Sequence, residues 1–257
     1  MTTVADLDFS YRRSEFLHAR GSALRFDPHV HAFPSVVVVR RGAAEVRTRR
    51  HALVVQSGDV FFVNAYEVHS GSSLESGTLF ETYYPSQVLW PRTWGRSPTI
   101  TTDVIRHSRE TARWTSAMSS STATPGVKTQ ALRALLSLCE TSRRPHAMPP
   151  LTVDALDRIH RSPTELTSPS RLATELRTGT SRLIREFHAR AGMPPQRYSR
   201  QVLVSSALSL VLDGQTLADA AAGAGFADQA HLTREFKKVF GVPPGVLARG
   251  IRADPHR

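Results

Sequence analysis

The chain has 257 residues and a formal net charge of +11, from 33 Lys and Arg against 22 Asp and Glu. That length is enough for two domains with real cores, and ordinary apolar and charged fractions exclude a collagen-like or low-complexity chain. The single cysteine, Cys139, excludes an internal disulfide framework, fits a reducing compartment and reads as a small core hydrophobe.

In chain order, the first thirty residues contain no apolar run, so neither a secretory signal nor a membrane span is expected, and the protein is expected in the cytoplasm. Residues 30–85 read as β. Val36-Val37-Val38-Val39 is a fully apolar, β-branched run of the kind that fills a buried strand. Arg40-Arg41-Gly42 reads as a turn. Ala44, Val46 and Thr48 then alternate with Glu45, Arg47 and Arg49, which predicts a half-exposed strand. Leu53-Val54-Val55 leads into a turn at Ser57-Gly58-Asp59, Val60 to Val63 reads as a strand, and Leu79 to Tyr84 as another, ended by Pro85. Short strands punctuated by glycine turns predict a sandwich or barrel.

Beyond residue 100 the pattern changes. Val127 to Ser142 predicts a helix, with Val127, Ala131, Leu135 and Leu138 on one stripe and Leu132 and Leu136 beside it. Residues 144–150 contain three prolines and read as a stiff linker. From 151 to 257 everything reads helical, in seven segments near 152–161, 169–177, 180–190, 194–212, 216–223, 228–239 and 244–250. Positive charge does not single out this half, because residues 1–150 carry +6 and residues 151–257 carry +5. Nucleic acid is nevertheless the usual partner of such an excess.

Two stretches of the helical half share one plan. In the second, Leu217 to Ala222 is a short helix and Gly223-Ala224-Gly225 a turn. The next helix has Asp228 as its N-cap and Gly241 as its stop. Leu232, Phe236, Val239 and Phe240 form its inward face. Gln229, His231, Thr233, Arg234, Lys237 and Lys238 form the other, which suits phosphates and base edges. In the first stretch, Leu172 to Leu176, a turn at Arg177-Thr178-Gly179, and Thr180 to Arg190 repeat the plan. Leu183, Ile184 and Phe187 point inward, and Ser181, Arg182 and Arg185 stand near the helix start, where a recognition helix touches bases. A helix from Pro194 to Leu212 joins the two units and is long enough, at about 1.5 Å per residue, to hold two reading heads on one side of a duplex.

These residues resemble the AraC/XylS family of transcription regulators over about 155–250. The matching pieces are Leu172-Ala173, Leu183, Arg185, Phe187, Gly192, Pro195 and Tyr198. In the second unit they are Ala221, Gly225-Phe226, Asp228-Gln229, Arg234, Phe236-Lys237-Lys238, Phe240-Gly241-Val242 and Pro244. The resemblance implies double-stranded DNA as partner, read by Ser181, Arg182 and Arg185 and by Gln229, His231, Thr233 and Arg234. Gly179 departs from the family pattern, which has serine there, and so do Leu203, where it has arginine, and Ala220, where it has a larger aliphatic residue.

The β-rich half carries His29-Val30-His31 and His69, with Gly58 upstream. This spacing resembles the cupin motifs, in which two histidines, a glutamate and a third histidine hold a metal inside a barrel. Ser35 occupies the glutamate position, Gly42 closes the first motif, Asn64 replaces a proline and Tyr66 a glycine. Three histidines suffice chemically for zinc or iron(II), but serine is a poor substitute for a carboxylate. The expectation is therefore no metal and no cofactor. The three histidines then either cap the barrel mouth or line an effector pocket together with Phe33, Tyr66 and Tyr83. Phe61 reads as core.

The expected architecture is α+β. An N-terminal cupin-like barrel with flanking helices (1–143) is joined by a linker (144–150) to an all-α, seven-helix domain with two helix-turn-helix units (151–257). The expected function is a sequence-specific DNA-binding regulator, not an enzyme, that responds to a small-molecule effector, with RNA polymerase as a further candidate partner. The resemblance implies a homodimer through 127–142, although an apolar helix covering its own barrel has the same sequence pattern. Two rival readings are a metal-dependent cupin enzyme with an accessory helical domain and a constitutive DNA-binding protein without an effector.

Overall fold

A computed structural model describes residues 3–12, 16–85, 99–120, 122–142, 148–165 and 168–252. The β structure starts earlier than residue 30. Strands β1 (Thr3–Arg12) and β2 (Phe16–His29) form an antiparallel pair. They join β3 (Ser35–Arg41), β4 (Ala43–Thr48), β5 (Ala52–Gln56), β6 (Val60–Val63), β7 (His69–Ser73), β8 (Leu79–Pro85) and β10 (Val104–Ile105) in one sheet. Its order is β10-β6-β3-β8-β2-β7-β4-β5, with β1 on β2. The turn expected at 40–42 is confined to Gly42, at φ 79°, while Arg40 and Arg41 continue β3.

The sheet curls so that strands from both ends of this order share one core. Val37 and Val39 of β3, Ala44 and Val46 of β4, Val55 of β5, Phe61 and Val63 of β6 and Phe80 of β8 pack together. The opposite face of β3, β6 and β8 is covered by helices. Val36, Val38, Val60, Phe62 and Tyr83 meet Met118 of α1 (Arg109–Ser119) and Ala131, Leu132 and Leu135 of α2 (Pro125–Ser137). This is why β3 reads as a continuous apolar run: both of its faces are buried.

Helix α1 has no counterpart among the predicted elements. It is nucleated by a capping box, Ser108 with Thr111, and its buried face consists of Thr111, Thr115 and Met118. Two threonines in three inward positions hide the apolar periodicity. Half-buried Arg40 and buried Glu81 pair at 2.6 Å beneath it. The guanidinium also donates to the Thr115 carbonyl at 2.7 Å, and the Ser119 hydroxyl donates to Glu81 at 2.8 Å, which ties the helix to the sheet.

Helix α2 ends at Ser137, earlier than the expected Ser142. Thr141–Ser142 instead form a short strand, β11, paired with β9 (Thr99–Ile100). Ala131, Leu132 and Leu135 are fully buried against the helix's own barrel, while Val127 and Leu138 stay 43% and 37% exposed. The expected stripe is therefore split. Of the expected linker, residues 144–147 lie outside the described residues; Pro149 caps α3 (Pro150–Arg161) and Pro150 opens it.

The remaining helices follow the expected segments within a residue or two: α4 (Pro169–Glu175), α5 (Thr180–Ala191), α6 (Pro195–Leu212), α7 (Leu217–Gly223), α8 (Gln229–Phe240) and α9 (Pro244–Arg252). Proline at the first position of α3, α4, α6 and α9 fits its missing N–H. Two cores form here, one around Leu172, Leu183, Phe187 and Tyr198, the other around Leu208, Leu232 and Phe236. Helix α6 contributes to both, through Tyr198 and Val202 to the first and through Leu203, Leu208 and Val211 to the second. No helix among the described residues is long and apolar enough to cross a membrane.

Candidate nucleic-acid interface and ligand chamber

Each of two helices presents a polar face backed by an apolar one. In α8, Leu232, Phe236 and Val239 are buried. The Asp228 carboxylate caps the helix by accepting from the His231 N–H at 2.6 Å. Gly241 ends it at φ 78°. The preceding turn needs Gly225, at φ 82°, because a Cβ there would stand 2.4 Å from the Thr164 methyl. Gln229, Arg234, Lys237 and Lys238 are exposed.

His231 and Thr233 are only partly exposed. The His231 ring stands edge-on to Phe226 at 5.2 Å, and the Thr233 hydroxyl donates to the Gln229 carbonyl at 2.8 Å. Lys238 pairs with Glu235 at 2.6 Å. Arg234 and Lys237 have no carboxylate partner among the described residues, so they are the strongest candidates for phosphate or base contacts.

In α5, Leu183 and Phe187 are buried and Ile184 is half-buried, while Ser181, Arg182 and Arg185 are exposed. Arg182 lies 3.8 Å from Glu186, a loose pair. The helix begins at Gly179 with no side-chain cap and open space around that residue. The anchor of both units is α6, whose 18 residues make a rod of about 27 Å.

The second site is inside the barrel. A chamber of about 590 Å³, counted to its open mouth, is walled by Phe26, Val37, Val46, Phe61, Val63 and Phe80 and by His29, His31, His69, Ser35, Thr82 and Tyr84. His29 and His31 are two residues apart, and His29 faces His69 across the β2–β7 register. The ring centroids of His69 lie 4.0 Å from His29 and 4.8 Å from His31.

Every one of the three Nδ1 atoms meets a main-chain carbonyl: His29 that of Asp27 at 2.8 Å, His31 that of Phe33 at 2.6 Å and His69 that of Glu67 at 2.9 Å. A carbonyl only accepts, so Nδ1 is the protonated nitrogen in each ring and Nε2 keeps a lone pair. Burial, and after it the repulsion between neighbouring rings, lowers the imidazoles far below the ordinary histidine range, His31 and His69 to about 3.

Of the six expected effector contacts, only the histidines line the chamber. Tyr83 is fully buried on the helix-covered side of the sheet, where its hydroxyl meets Glu81 and the Met118 carbonyl at 3.3 and 3.2 Å. Strand alternation sends Phe80, Thr82 and Tyr84 the other way, so the chamber tyrosine is Tyr84. Phe33 and Tyr66 also lie outside the chamber and pack against the helical half. Tyr66, standing in the glycine position of the motif, takes the left-handed φ of 59° that a glycine would favour. Phe61 is 7% exposed and belongs both to the core and to the chamber wall. Cys139 lies outside the chamber, half-buried, its thiol pushed up to about 12 by burial.

The loops beside the histidines, after β2 and before β7, form the junction with the helices. Val30, between His29 and His31, is fully buried among Ile159, Phe187, Tyr198 and Val202. The Tyr66 ring lies 4.2 Å from that of His160, whose Nε2 is 3.0 Å from the Tyr198 hydroxyl. Gly192 leaves room for Val68, whose side chain would stand 3.2 Å from a Cβ there. Arg197 donates to the Pro28 carbonyl at 2.8 Å. Tyr84 both lines the chamber and touches the core around Leu208 and Leu232.

Similar proteins share this arrangement. Residues 172–250 match the helix-turn-helix domain family HTH_18, and residues 13–149 match the AraC-like ligand binding domain family. An AraC-like transcription regulator of Streptomyces lividans is 30% identical over 112 residues, which is 40% of this chain and 37% of that protein. The chain therefore spans little more than a third of that relative's length. Among solved structures, ToxT of Vibrio cholerae bound to an unsaturated fatty acid is 14% identical, with a TM-score of 0.59, covering 96% of this chain and 99% of the other. A ligand-free single-substitution variant of the same ToxT is 13% identical, with a TM-score of 0.57, covering 94% and 99%. At such identities the likeness is one of fold. The ligand-binding-domain match alone takes in 137 of the 257 residues, and with the helix-turn-helix match behind it the chain belongs to the AraC family.

Proposed function

We propose that this chain is a sequence-specific DNA-binding transcription regulator whose DNA affinity responds to a small molecule held in the barrel. The observation that carries the reading is the pair of helices α5 and α8. Both keep an apolar face in the core and a basic, polar face outside, and both are anchored on one helix, α6. Arg185, Arg234 and Lys237 supply exposed cationic donors, and a duplex offers such donors its phosphates and guanine edges.

Effector response is supported by the junction. A molecule in the chamber touches Tyr84 and the histidine loops, and both reach the helical half. Such a molecule changes DNA affinity only by binding two arrangements of the halves unequally. The fold neighbour bound to a fatty acid supports a chamber ligand with an apolar body. On this reading, residues 1–143 sense, 144–150 connect and 151–257 read DNA. The protein works at the nucleoid in the bacterial cytoplasm, RNA polymerase is a further partner, and Val127 of α2 and Leu138 at its C-cap are the side chains offered to a second copy.

Genome-wide mapping of the DNA bound by the full chain tests the reading. Enrichment at discrete sites sharing a sequence motif, lost on Arg234→Ala, is the expected result. Uniform occupancy independent of sequence would overturn it.

A further inference from the structure

The two helix-turn-helix units turn in the same way, with one difference. In the second unit the Gly225 N–H donates to the Ala222 carbonyl at 3.0 Å, and the Phe226 N–H to that of Ala221 at 2.9 Å. In the first unit the Arg177 N–H donates to the Thr174 carbonyl at 3.1 Å, and the Thr178 N–H to that of Ala173 at 3.0 Å. Arg177 follows the C-cap of α4 as Gly225 follows the C-cap of α7. Both take the left-handed backbone, Arg177 at φ 50° and Gly225 at φ 82°. Such a closing turn favours glycine, because a Cβ crowds the backbone in that region.

The arginine thus carries a steric cost that glycine would avoid, and nothing within the chain offsets it. Arg177 is exposed, and its guanidinium has no hydrogen bond or ion pair among the described residues. Glu175, two positions away, is taken by Arg158 at 3.2 Å and by Arg171 at 3.8 Å. A crowded position held without an internal contact points to a partner outside the chain. The place of the turn says which. In a helix-turn-helix the first helix crosses the sugar–phosphate backbone and the first residues of the second enter the major groove. The turn between α4 and α5 therefore stands at the rim of the groove, where the phosphates pass.

We propose that Arg177 is the phosphate-gripping residue of the first unit: its guanidinium bonds a backbone phosphate beside the groove that α5 enters, and so positions that helix without reading a base. A guanidinium suits this task, since its paired donors match two phosphate oxygens. This deepens the regulator reading, on which it rests, and it gives the two units different duties. From residue 216 to 228 the second unit's only charged side chains are Asp219 and Asp228, which repel a phosphate. That unit depends on the cations of α8 itself, whereas the first holds the backbone at its turn.

The test uses the full-length chain. The wild-type chain first selects duplexes from a random-sequence pool, and enrichment of one motif is the mark of the regulator reading. Fluorescence anisotropy over a salt series then follows wild type and variants on a selected duplex and on one of mixed sequence. Arg177→Gly should weaken both alike, roughly five- to tenfold at about 0.1 M salt, and reduce the slope of log affinity against log salt by about 0.9, the share of one phosphate. Arg177→Asn, which tolerates the left-handed backbone, should act like Arg177→Gly on DNA, and Arg177→Lys should retain most of the slope. Without DNA, Arg177→Gly should melt higher than wild type, because the crowding is gone. Weaker binding by a chain that melts higher does not come from damage to the fold. Arg49→Ala, which removes one charge from an exposed position of the barrel half, should leave the slope unchanged.

An unchanged affinity or slope in Arg177→Gly overturns the contact. So does an equal loss of slope in Arg49→Ala, which makes the effect one of net charge. A loss confined to the selected duplex overturns the phosphate in favour of a base, and a lower melting temperature overturns the steric argument. Selection without a motif sinks the regulator reading, while the mixed-sequence duplex still decides whether Arg177 grips a phosphate; a wild-type chain that binds neither duplex ends both.

Discussion

The main-chain N–H of Val30 donates a 2.8 Å hydrogen bond to Oε1 of Gln201, 171 positions further along the chain. Both residues are buried, Gln201 at 6% exposure. One bond thus connects the loop between two chamber histidines to the helix on which both helix-turn-helix units are mounted. Gln201→Leu keeps the volume but leaves a buried N–H without an acceptor, which costs about 1–3 kcal/mol. Urea unfolding should show that loss. Effector-dependent changes in DNA affinity should shrink in the same variant, while Gln201→Glu, which keeps an acceptor, should retain more of both.

Arg234 and Lys237 should behave differently on DNA. Arg234→Ala should cost about 1–3 kcal/mol at a specific site and less on random duplex if the guanidinium reads a base edge. Lys237→Ala should weaken both duplexes alike and flatten the dependence of affinity on salt, as expected for a phosphate contact. Fluorescence anisotropy over a salt series separates the two. Thr233→Ala should matter little for recognition, because its hydroxyl is already bonded to the Gln229 carbonyl.

The two reading helices differ in how they start. α8 has the Asp228 cap, and Asp228→Ala should cost about 1 kcal/mol. α5 starts at Gly179, with nothing within 4 Å of a Cβ placed there and a backbone at φ −76°, ψ 139° that any residue adopts. Gly179→Ser should therefore stabilise the chain by roughly 0.5–1 kcal/mol, through a new cap and a less flexible unfolded state. Thermal melts of both variants check the signs.

Half-buried Arg40 and buried Glu81 pair at 2.6 Å beneath α1, their side chains 16% and 3% exposed. Arg40→Met leaves a buried carboxylate uncompensated and should destabilise by about 3–5 kcal/mol. Combining Arg40→Met with Glu81→Gln removes both charges together and should recover much of that loss. Denaturant unfolding of the single and double variants gives the answer.

Burial holds the His160 imidazole down at about 4, against an opposing pull from Asp157. Above pH 6.5 both folded and unfolded chains carry it neutral, and it adds no pH dependence. Between pH 6.5 and 4 the unfolded chain takes up a proton that the folded chain refuses, so stability falls as pH falls. For this group alone the loss from pH 7 to 5 is about 2 kcal/mol. His160→Phe keeps a ring against Tyr66 and should remove that share of the acid sensitivity, seen as a shallower decline in unfolding free energy.

The helical half was legible because its signals are local. Prolines at helix starts, the Asp228 cap, the stop at Gly241 and the spacing of Leu232, Phe236 and Val239 act within one or two turns. They placed α3 to α9 to within a residue or two. α1 was not legible, because threonine side chains do the work of apolar ones on its inner face. β1 and β2 lacked an apolar run, and pairing with distant strands, not local pattern, makes them strands.

The sites divide in the same way. The likeness of their spacing to the cupin motifs was enough to bring His29, His31 and His69 under suspicion as one group, and helix periodicity was enough to put Arg185 and Arg234 on polar faces. It took the folded chain to decide that Tyr84 and not Tyr83 faces the chamber, since a one-residue step along β8 reverses the side of the sheet. It also took the folded chain to send Phe33 and Tyr66 into the junction between the halves. Which way a side chain faces within one element is set by local geometry, but what stands opposite it is set by segments far off in sequence, and those meet only when the chain has closed on itself.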